Sequence, residues 1–422
     1  MMSSSDRFTL SRRDGEVMRV LASVSVVIAH CVHFWVEGFS STASARPHLE
    51  LFSLGTLASI LDQFTRFTVP FFLFLSGLGL TLQFLKKPPQ WKAYYRFRMT
   101  KILIPFFVWT FLTSFRHLDY FMNFPWEQVP MASLMRLLHF MLFDGFDYQY
   151  YFLIVIFQFY LLFPLLYKLM QPPRTGWVLG FVLLVQLAIT TPGDGILGWL
   201  GLEIPLLHPN LFIYYAFYCL AGMYAAWHRD FLAKLVQRLS TAQIVSIWAF
   251  SFFLLLLEYW LNIFAGKGLM NSDHFNRWSV VLYCLASLLL ILKNKNLLEK
   301  TQNNPVWSFI YTGVAPYTFF VYLFHTHLLR AVDYLCWEVT LGDFLGRILW
   351  VVGGSYAFAW LSQWLLEDFP RLRLAFGLPK ASLRKEDLPG LVYALLKFNK
   401  IKGYKLELPH RTEENSGIQV VE

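Results

Sequence analysis

The sequence predicts an all-α, polytopic membrane protein with about ten transmembrane helices and both ends in the cytoplasm. Three observations predict this fold class. Of the 422 residues, 56% are hydrophobic and only 15% are charged, whereas a soluble domain carries about 25% charged residues. The apolar residues fall into ten runs, most of them near the length of about 20 residues that a bilayer requires. Lysine and arginine collect in alternate connections between these runs, as cytoplasmic loops do.

The first apolar run, residues 17–37, carries two ionisable side chains, Arg19 and His30, eleven positions apart. A helix rises about 1.5 Å and turns about 100° per residue, so His30 lies about 16 Å deeper than Arg19 and only about 20° round from it. An ionisable group near the middle of a membrane predicts a functional site. In the structural alternative, Arg19 reaches back to the surface and His30 is a neutral core histidine.

The other nine runs are predicted near residues 64–85, 101–121, 148–169, 177–191, 207–228, 244–264, 275–292, 314–337 and 344–366. A further run, residues 131–143, is too short to span and contains Arg136 and His139. We interpret it as a helix that lies at the interface or packs against the bundle.

The charges between the runs test this count. The even-numbered connections contain most of the basic residues, and the odd-numbered ones contain at most one each. Ten helices with both ends in the cytoplasm fit this pattern. We therefore predict an N-terminal arm at 1–16, a membrane domain at 17–366 and a basic tail at 367–422, with an amphipathic stretch at 391–398. The net charge of +9 is explained by topology, and no nucleic-acid partner is predicted.

Basic residues also cluster at the start of the third run, in RFRMTKILIP from Arg96 to Pro105. Arg96, Arg98 and Lys101 are suited to bind phosphate groups at the cytoplasmic surface. The alternative is that they only set the topology and contact anionic lipid.

The ninth run contains VYLFHTHLLR, with His325 and His327 two positions apart. Two residues turn a helix through about 200°, so the two imidazoles cannot share a face and at most one of them faces His30. No metal site is predicted, because no carboxylate spacing supports one and the four cysteines form no CxxC motif. In the second run, Ser76, Gly77 and Gly79 are small enough to let another helix approach closely.

Five motifs occur in one order along residues 13–366. They are EVMRVLASVSVVIAH with Arg19 and His30, PFFLFLSGLGL from Pro70, RMTKILIP from Arg98, YYFLIVIFQFYLLFPLL from Tyr150 and YLFHTHLL from Tyr322. In these motifs the chain resembles the acyltransferase 3 family of membrane enzymes, which O-acylate cell-envelope glycans and related molecules. It departs from the family pattern at Lys101, where many members have arginine, and at His327, where proline is common.

The resemblance implies an acyltransferase for groups other than aminoacyl groups, in a bacterial inner membrane. The implied donor is acyl-CoA, most often acetyl-CoA, and the implied acceptor is a hydroxyl of a glycan or lipid-linked sugar. A neutral imidazole can take a hydroxyl proton near neutral pH. His30 and Arg19 are therefore the expected catalytic residues, and Arg96, Arg98 and Lys101 are expected to hold the donor. The residues expected to line the cavity are Ser76, Tyr151 and His325.

Two other classes of function fit the same residues. In a transporter or flippase, Arg19 and His30 would form part of a proton or anion path. A non-catalytic membrane scaffold would tolerate substitution of both. Consumption of acyl-CoA separates the enzyme from either alternative.

Overall fold

The computed structural model describes residues 12–40, 54–114, 147–189, 210–264, 275, 277–294, 305–333 and 340–379. Their regular secondary structure is helical, which confirms the all-α prediction. The interfacial helix predicted at 131–143, most of the N-terminal arm and the amphipathic stretch at 391–398 lie outside these ranges.

In chain order the helices are α1 (Arg12–Ser40), α2 (Leu54–Phe64), α3 (Thr68–Lys86), α4 (Trp91–Ser114), α5 (Tyr151–Leu169), α6 (Thr175–Ile189), α7 (Ala216–Trp227), α8 (Arg229–Arg238), α9 (Thr241–Phe264), α10 (Trp278–Lys293), α11 (Pro305–Phe309), α12 (Thr318–Asp333), α13 (Leu341–Leu365) and α14 (Pro370–Phe376). Short 3-10 turns precede α3, α5 and α12, and a π-helical turn at Ile310–Val314 follows α11.

Five helical segments in the described part of the chain are long and apolar enough to cross a bilayer. They are Asp14–His33, Leu54–Lys86, Tyr148–Leu169, Thr241–Phe264 and Leu341–Leu365. The protein is therefore an integral membrane protein. Ten spans and the cytoplasmic placement of both ends stay predictions, because the other apolar helices are shorter or carry more charge.

Two helices begin ten residues earlier than the sequence predicts, and α1 begins at Arg12, five residues before the first run. The second span starts at Leu54 and not near residue 64, since α2 continues through the turn Thr65–Phe67 into α3. Asp62, Gln63 and Arg66 of this segment are buried, and Gln63 and Arg66 both hydrogen-bond to the Asp62 carboxylate. Helix α4 starts at Trp91 and not near residue 101, because a helix with charged side chains can continue beyond the apolar layer into the interface.

Helix α1 packs against α2, α3, α12 and α13. Its first half places Met18 and Ala22 in a hydrophobic core shared with α3 and α7. Its second half places Val26, Val27 and Cys31 in another core, shared with α12 and α13. The helix that carries Arg19 and His30 therefore joins the two main cores of the described structure.

Helices α3 and α7 are in backbone contact. A Cβ atom added at Gly77 would lie 2.0 Å from the Cys219 carbonyl oxygen, and one added at Gly222 would lie 2.0 Å from the Phe74 carbonyl oxygen. No side chain fits either position. For Gly77 this confirms the predicted close approach, whereas a Cβ at Gly79 would meet nothing within 4 Å.

We predict that Gly77→Ala destabilises the protein strongly, because the methyl group can be accommodated only if α3 and α7 move apart. The expected loss is about 1–3 kcal/mol or more, seen as a lower thermal unfolding midpoint in detergent. Gly79→Ala is the matched control and should leave the midpoint unchanged or raise it, since alanine favours a helix over glycine. Equal midpoints for the two variants would contradict the packing described here.

Candidate active site

His30 is half-buried on α1, and its ring contacts a tyrosine that precedes α5. Its Nδ1 atom lies 2.7 Å from the hydroxyl oxygen of Tyr148. The two ring centroids are 4.9 Å apart and the rings are inclined by 30°. Tyr148 is 41% exposed, so the pair lies where the helix bundle opens toward its surroundings. Arg19, on the same helix, has an exposed side chain.

A second imidazole contacts His30 from α12. The ring of His325 is 4.9 Å from the His30 ring, centroid to centroid, in an edge-to-face arrangement at 68°. Its Nδ1 lies 3.0 Å from the Val321 carbonyl oxygen. A carbonyl oxygen only accepts, so Nδ1 carries the hydrogen and Nε2 carries the lone pair. That Nε2 is buried and has no hydrogen-bond partner among the described residues.

His327 faces a different set of neighbours. Its Nε2 lies 3.4 Å from the Thr113 hydroxyl oxygen and 3.3 Å from the Tyr150 hydroxyl oxygen. Its ring also packs on Trp109, with centroids 5.3 Å apart. The prediction that only one histidine of the pair faces His30 is confirmed, and that histidine is His325.

The segment that carries Tyr148 is held on both sides by α12. On one side, the buried carboxylate of Asp147 accepts a hydrogen bond from Arg330 Nη2 at 2.7 Å and faces the Thr326 hydroxyl at 3.3 Å. On the other side, the Tyr322 hydroxyl donates to the backbone carbonyl of Gln149. The residues before and after Tyr148 are thus attached to the helix that also supplies His325.

A second group of buried charged side chains connects α2, α9 and α10. Asp62 binds Arg66 through both carboxylate oxygens, with Nη2 2.5 Å from Oδ1 and Nε 3.2 Å from Oδ2. Gln63 joins this pair to Arg277, since its Nε2 donates to Asp62 and its Oε1 accepts from Arg277. Arg277 in turn lies 4.0 Å from Glu258. The two acidic and two basic groups balance in charge.

The cations of α4 lie far along that helix from the imidazoles. Arg98 Nη2 lies 3.4 Å from Gln83 Oε1, and its guanidinium lies over the Tyr160 ring at 5.4 Å. Arg96 and Lys101 have exposed side chains. From Arg98 to Thr113, which contacts His327, α4 advances 15 residues (113 minus 98), or about 22 Å.

The two remaining candidates are partly buried. The Ser76 hydroxyl donates to the Phe72 carbonyl oxygen at 2.8 Å, which satisfies it within its own helix. The Tyr151 ring lies 6.1 Å from that of Tyr215. Its hydroxyl is buried without a partner among the described residues, so it is an unsatisfied donor inside the bundle.

Comparison with protein-family models matches residues 15–366 to the acyltransferase 3 family, described as an acyltransferase domain. The chain belongs to the acyltransferase 3 family. No curated protein and no solved structure matches it. Together with the apolar helices, membership of this family identifies a membrane acyltransferase.

For this acyltransferase 3 protein, the sequence analysis assigned no role to Tyr148, Asp147 or Arg330. The position of Arg330 at the end of an apolar run indicates an acidic partner, because a partly buried arginine needs one. Several acidic residues near the ends of other runs were equally suitable, and the sequence does not show which of them packs against α12.

We predict that Asp62→Asn destabilises the protein, because it leaves Arg66 buried without its counter-ion. Breaking a buried ion pair from one side costs about 3–5 kcal/mol. The measurement is the thermal unfolding midpoint in detergent. Asp230→Asn, at an exposed site on α8, is the control and should change the midpoint little. A similar small change in both variants would show that the Asp62 pair does not stabilise the bundle.

Proposed function

We propose that the protein is an O-acyltransferase that moves an acyl group, typically acetyl, from cytoplasmic acyl-CoA to a hydroxyl of a cell-envelope glycan or lipid-linked sugar. The membrane in question is a bacterial inner membrane. The observation that carries the proposal is the His30 imidazole, which lies inside an acyltransferase domain with Nδ1 2.7 Å from a tyrosine hydroxyl. One ring nitrogen is thus occupied, and the other is left for chemistry.

His30 acts as the general base in this proposal. Its Nε2 takes the proton of the acceptor hydroxyl while the hydroxyl oxygen attacks the thioester carbonyl carbon. The carbon–sulfur bond breaks, and the coenzyme A thiolate leaves and receives the proton from His30. An ester and free coenzyme A are the products. In the alternative for the same residue, the imidazole itself carries the acyl group for part of the cycle.

The donor is proposed to bind among the basic side chains at the cytoplasmic side. Arg19, Arg96 and Lys101 are exposed, so phosphate groups can reach them. Arg19 lies about 16 Å from His30 along α1. An extended phosphopantetheine arm can cover a separation of this order, which lets the phosphates remain at the surface while the thioester reaches His30.

Ser76, Tyr151 and His325 are proposed to line the cavity, with His325 in contact with His30. The buried hydroxyl of Tyr151 and Nε2 of His325 lack partners among the described residues. A sugar bears several hydroxyl groups that can donate and accept hydrogen bonds. Such an acceptor would satisfy polar atoms that are costly to leave unpaired.

A transporter or flippase is the second candidate function. The observation that favours it is the buried group of Asp62, Arg66, Arg277 and Glu258, because intramembrane charged residues often mark ion or substrate paths. A transporter would move its substrate without consuming acyl-CoA. The amount of free coenzyme A released therefore decides between a transporter and an acyltransferase.

We predict that His30→Gln lowers the turnover of acetyl-CoA about a thousandfold, since a positioned general base contributes about 10²–10⁴ to the rate. The assay measures free coenzyme A released by the purified protein in liposomes. His228→Gln is the matched control, because it removes another partly buried histidine, one bonded to Thr175 at 2.6 Å. Retained turnover in a folded His30→Gln protein would exclude His30 as the base.

We also predict that Arg98→Glu raises the KM for acetyl-CoA and weakens its dependence on salt, because a charge that attracts the phosphates is reversed. Arg238→Glu reverses a different arginine, which is exposed and lies in a connection predicted to be cytoplasmic. It controls for effects on topology and lipid contact. An unchanged KM in Arg98→Glu, or the same increase in both variants, would remove Arg98 from the donor site.

A further inference from the structure

Tyr148 contacts His30 at the ring nitrogen that the chemistry does not use. A general base needs one ring nitrogen free to take a proton and a partner for the other, which fixes the tautomer and the orientation of the ring. The Nδ1 atom of His30 lies 2.7 Å from the Tyr148 hydroxyl oxygen. Tyr148 therefore occupies the place of the orienting group.

We propose that Tyr148 is the positioning residue of His30 and that its hydroxyl oxygen accepts the Nδ1 hydrogen. This inference rests on the proposed role of His30 as the base. A tyrosine hydroxyl can accept one hydrogen bond while it donates another, because its hydrogen rotates about the C–O bond. It can therefore accept the Nδ1 hydrogen at 2.7 Å. His30 then presents Nε2 with its lone pair.

Asp147 and Arg330 hold Tyr148 in place. The Asp147 side chain is fully buried, while that of Arg330 is 34% exposed, and their atoms are 2.7 Å apart. A buried carboxylate is stable only when it is paired and hydrogen-bonded. Asp147 therefore holds the backbone next to Tyr148 against α12, and the Tyr322 contact to Gln149 holds the other side.

The same helix determines the second contact of His30. His325 lies five residues before Arg330 on α12, and its ring contacts the His30 ring. One helix thus sets both neighbours of the base, directly through His325 and indirectly through Asp147 and Tyr148. A change at Arg330 should therefore alter the orientation of the His30 ring through Asp147 and Tyr148.

The test is the ¹⁵N spectrum of the imidazole rings of the full-length protein in lipid, with the His30 signals assigned by their loss in His30→Gln. In wild type, Nδ1 of neutral His30 should be protonated and Nε2 unprotonated. Tyr148→Phe removes only the hydroxyl and should produce a mixture of tautomers. Arg330→Gln should also produce a mixture of tautomers. Arg330→Lys keeps the charge and should give the wild-type spectrum. Tyr283→Phe, which deletes a hydroxyl bonded to the Phe64 carbonyl at 2.9 Å, should leave it unchanged.

The kinetic readout uses acetyl-CoA as donor and de-O-acetylated lipopolysaccharide as acceptor probe. Tyr148→Phe should lower kcat about tenfold, the effect of one lost hydrogen bond to a group that becomes charged, and leave the KM for acetyl-CoA unchanged. A wild-type His30 protonated at Nε2, or a spectrum that Tyr148→Phe does not change, would overturn the inference. If the spectra behave as expected but wild type consumes no acetyl-CoA, Tyr148 still positions His30 and the proposed function fails.

Discussion

A polar side chain inside a membrane must find its hydrogen-bond partners within the protein, and the described structure depends on how His30 does so. The imidazole is on α1, the helix that joins the two main hydrophobic cores. Its two ring contacts come from other parts of the chain, Tyr148 before α5 and His325 on α12. The hydrogen bond to Tyr148 and the ring contact with His325 therefore bring together three segments that are far apart in sequence.

Two of the buried polar groups in the described part of the bundle have different characters. The group around Asp62 and Arg66 is closed in charge, since its two acidic and two basic side chains balance. The group around His30 is open, because the His325 Nε2 lacks a partner among the described residues and Tyr148 is partly exposed. A closed group stabilises the packing of helices, whereas an open one can accept a substrate.

The sequence predicted the helical class, the membrane location and the family because these depend on composition, apolar run length and local motifs. It also predicted that His325 and His327 face different neighbours, since helical periodicity alone decides this. The start of the second span was missed, because Asp62 precedes the predicted run and its ion pair with Arg66 is seen only in the structure. Tyr148 and Asp147 were missed because their roles depend on which segment packs against α12, and residue spacing does not encode that. The roles of Arg19, His30 and the α4 cations remain predictions.

In the proposed reaction, an acyl group leaves coenzyme A at a site centred on α1. This is tested most directly by giving acetyl-CoA, labelled in both the acetyl group and the coenzyme A, to sealed proteoliposomes that contain an envelope glycan extract. We expect acetyl label on the glycan and an equal amount of free labelled coenzyme A, neither of which forms in liposomes without the protein. Intact acetyl-CoA after incubation, with a glycan moved across the membrane unmodified, would exclude acyl transfer and support a transporter.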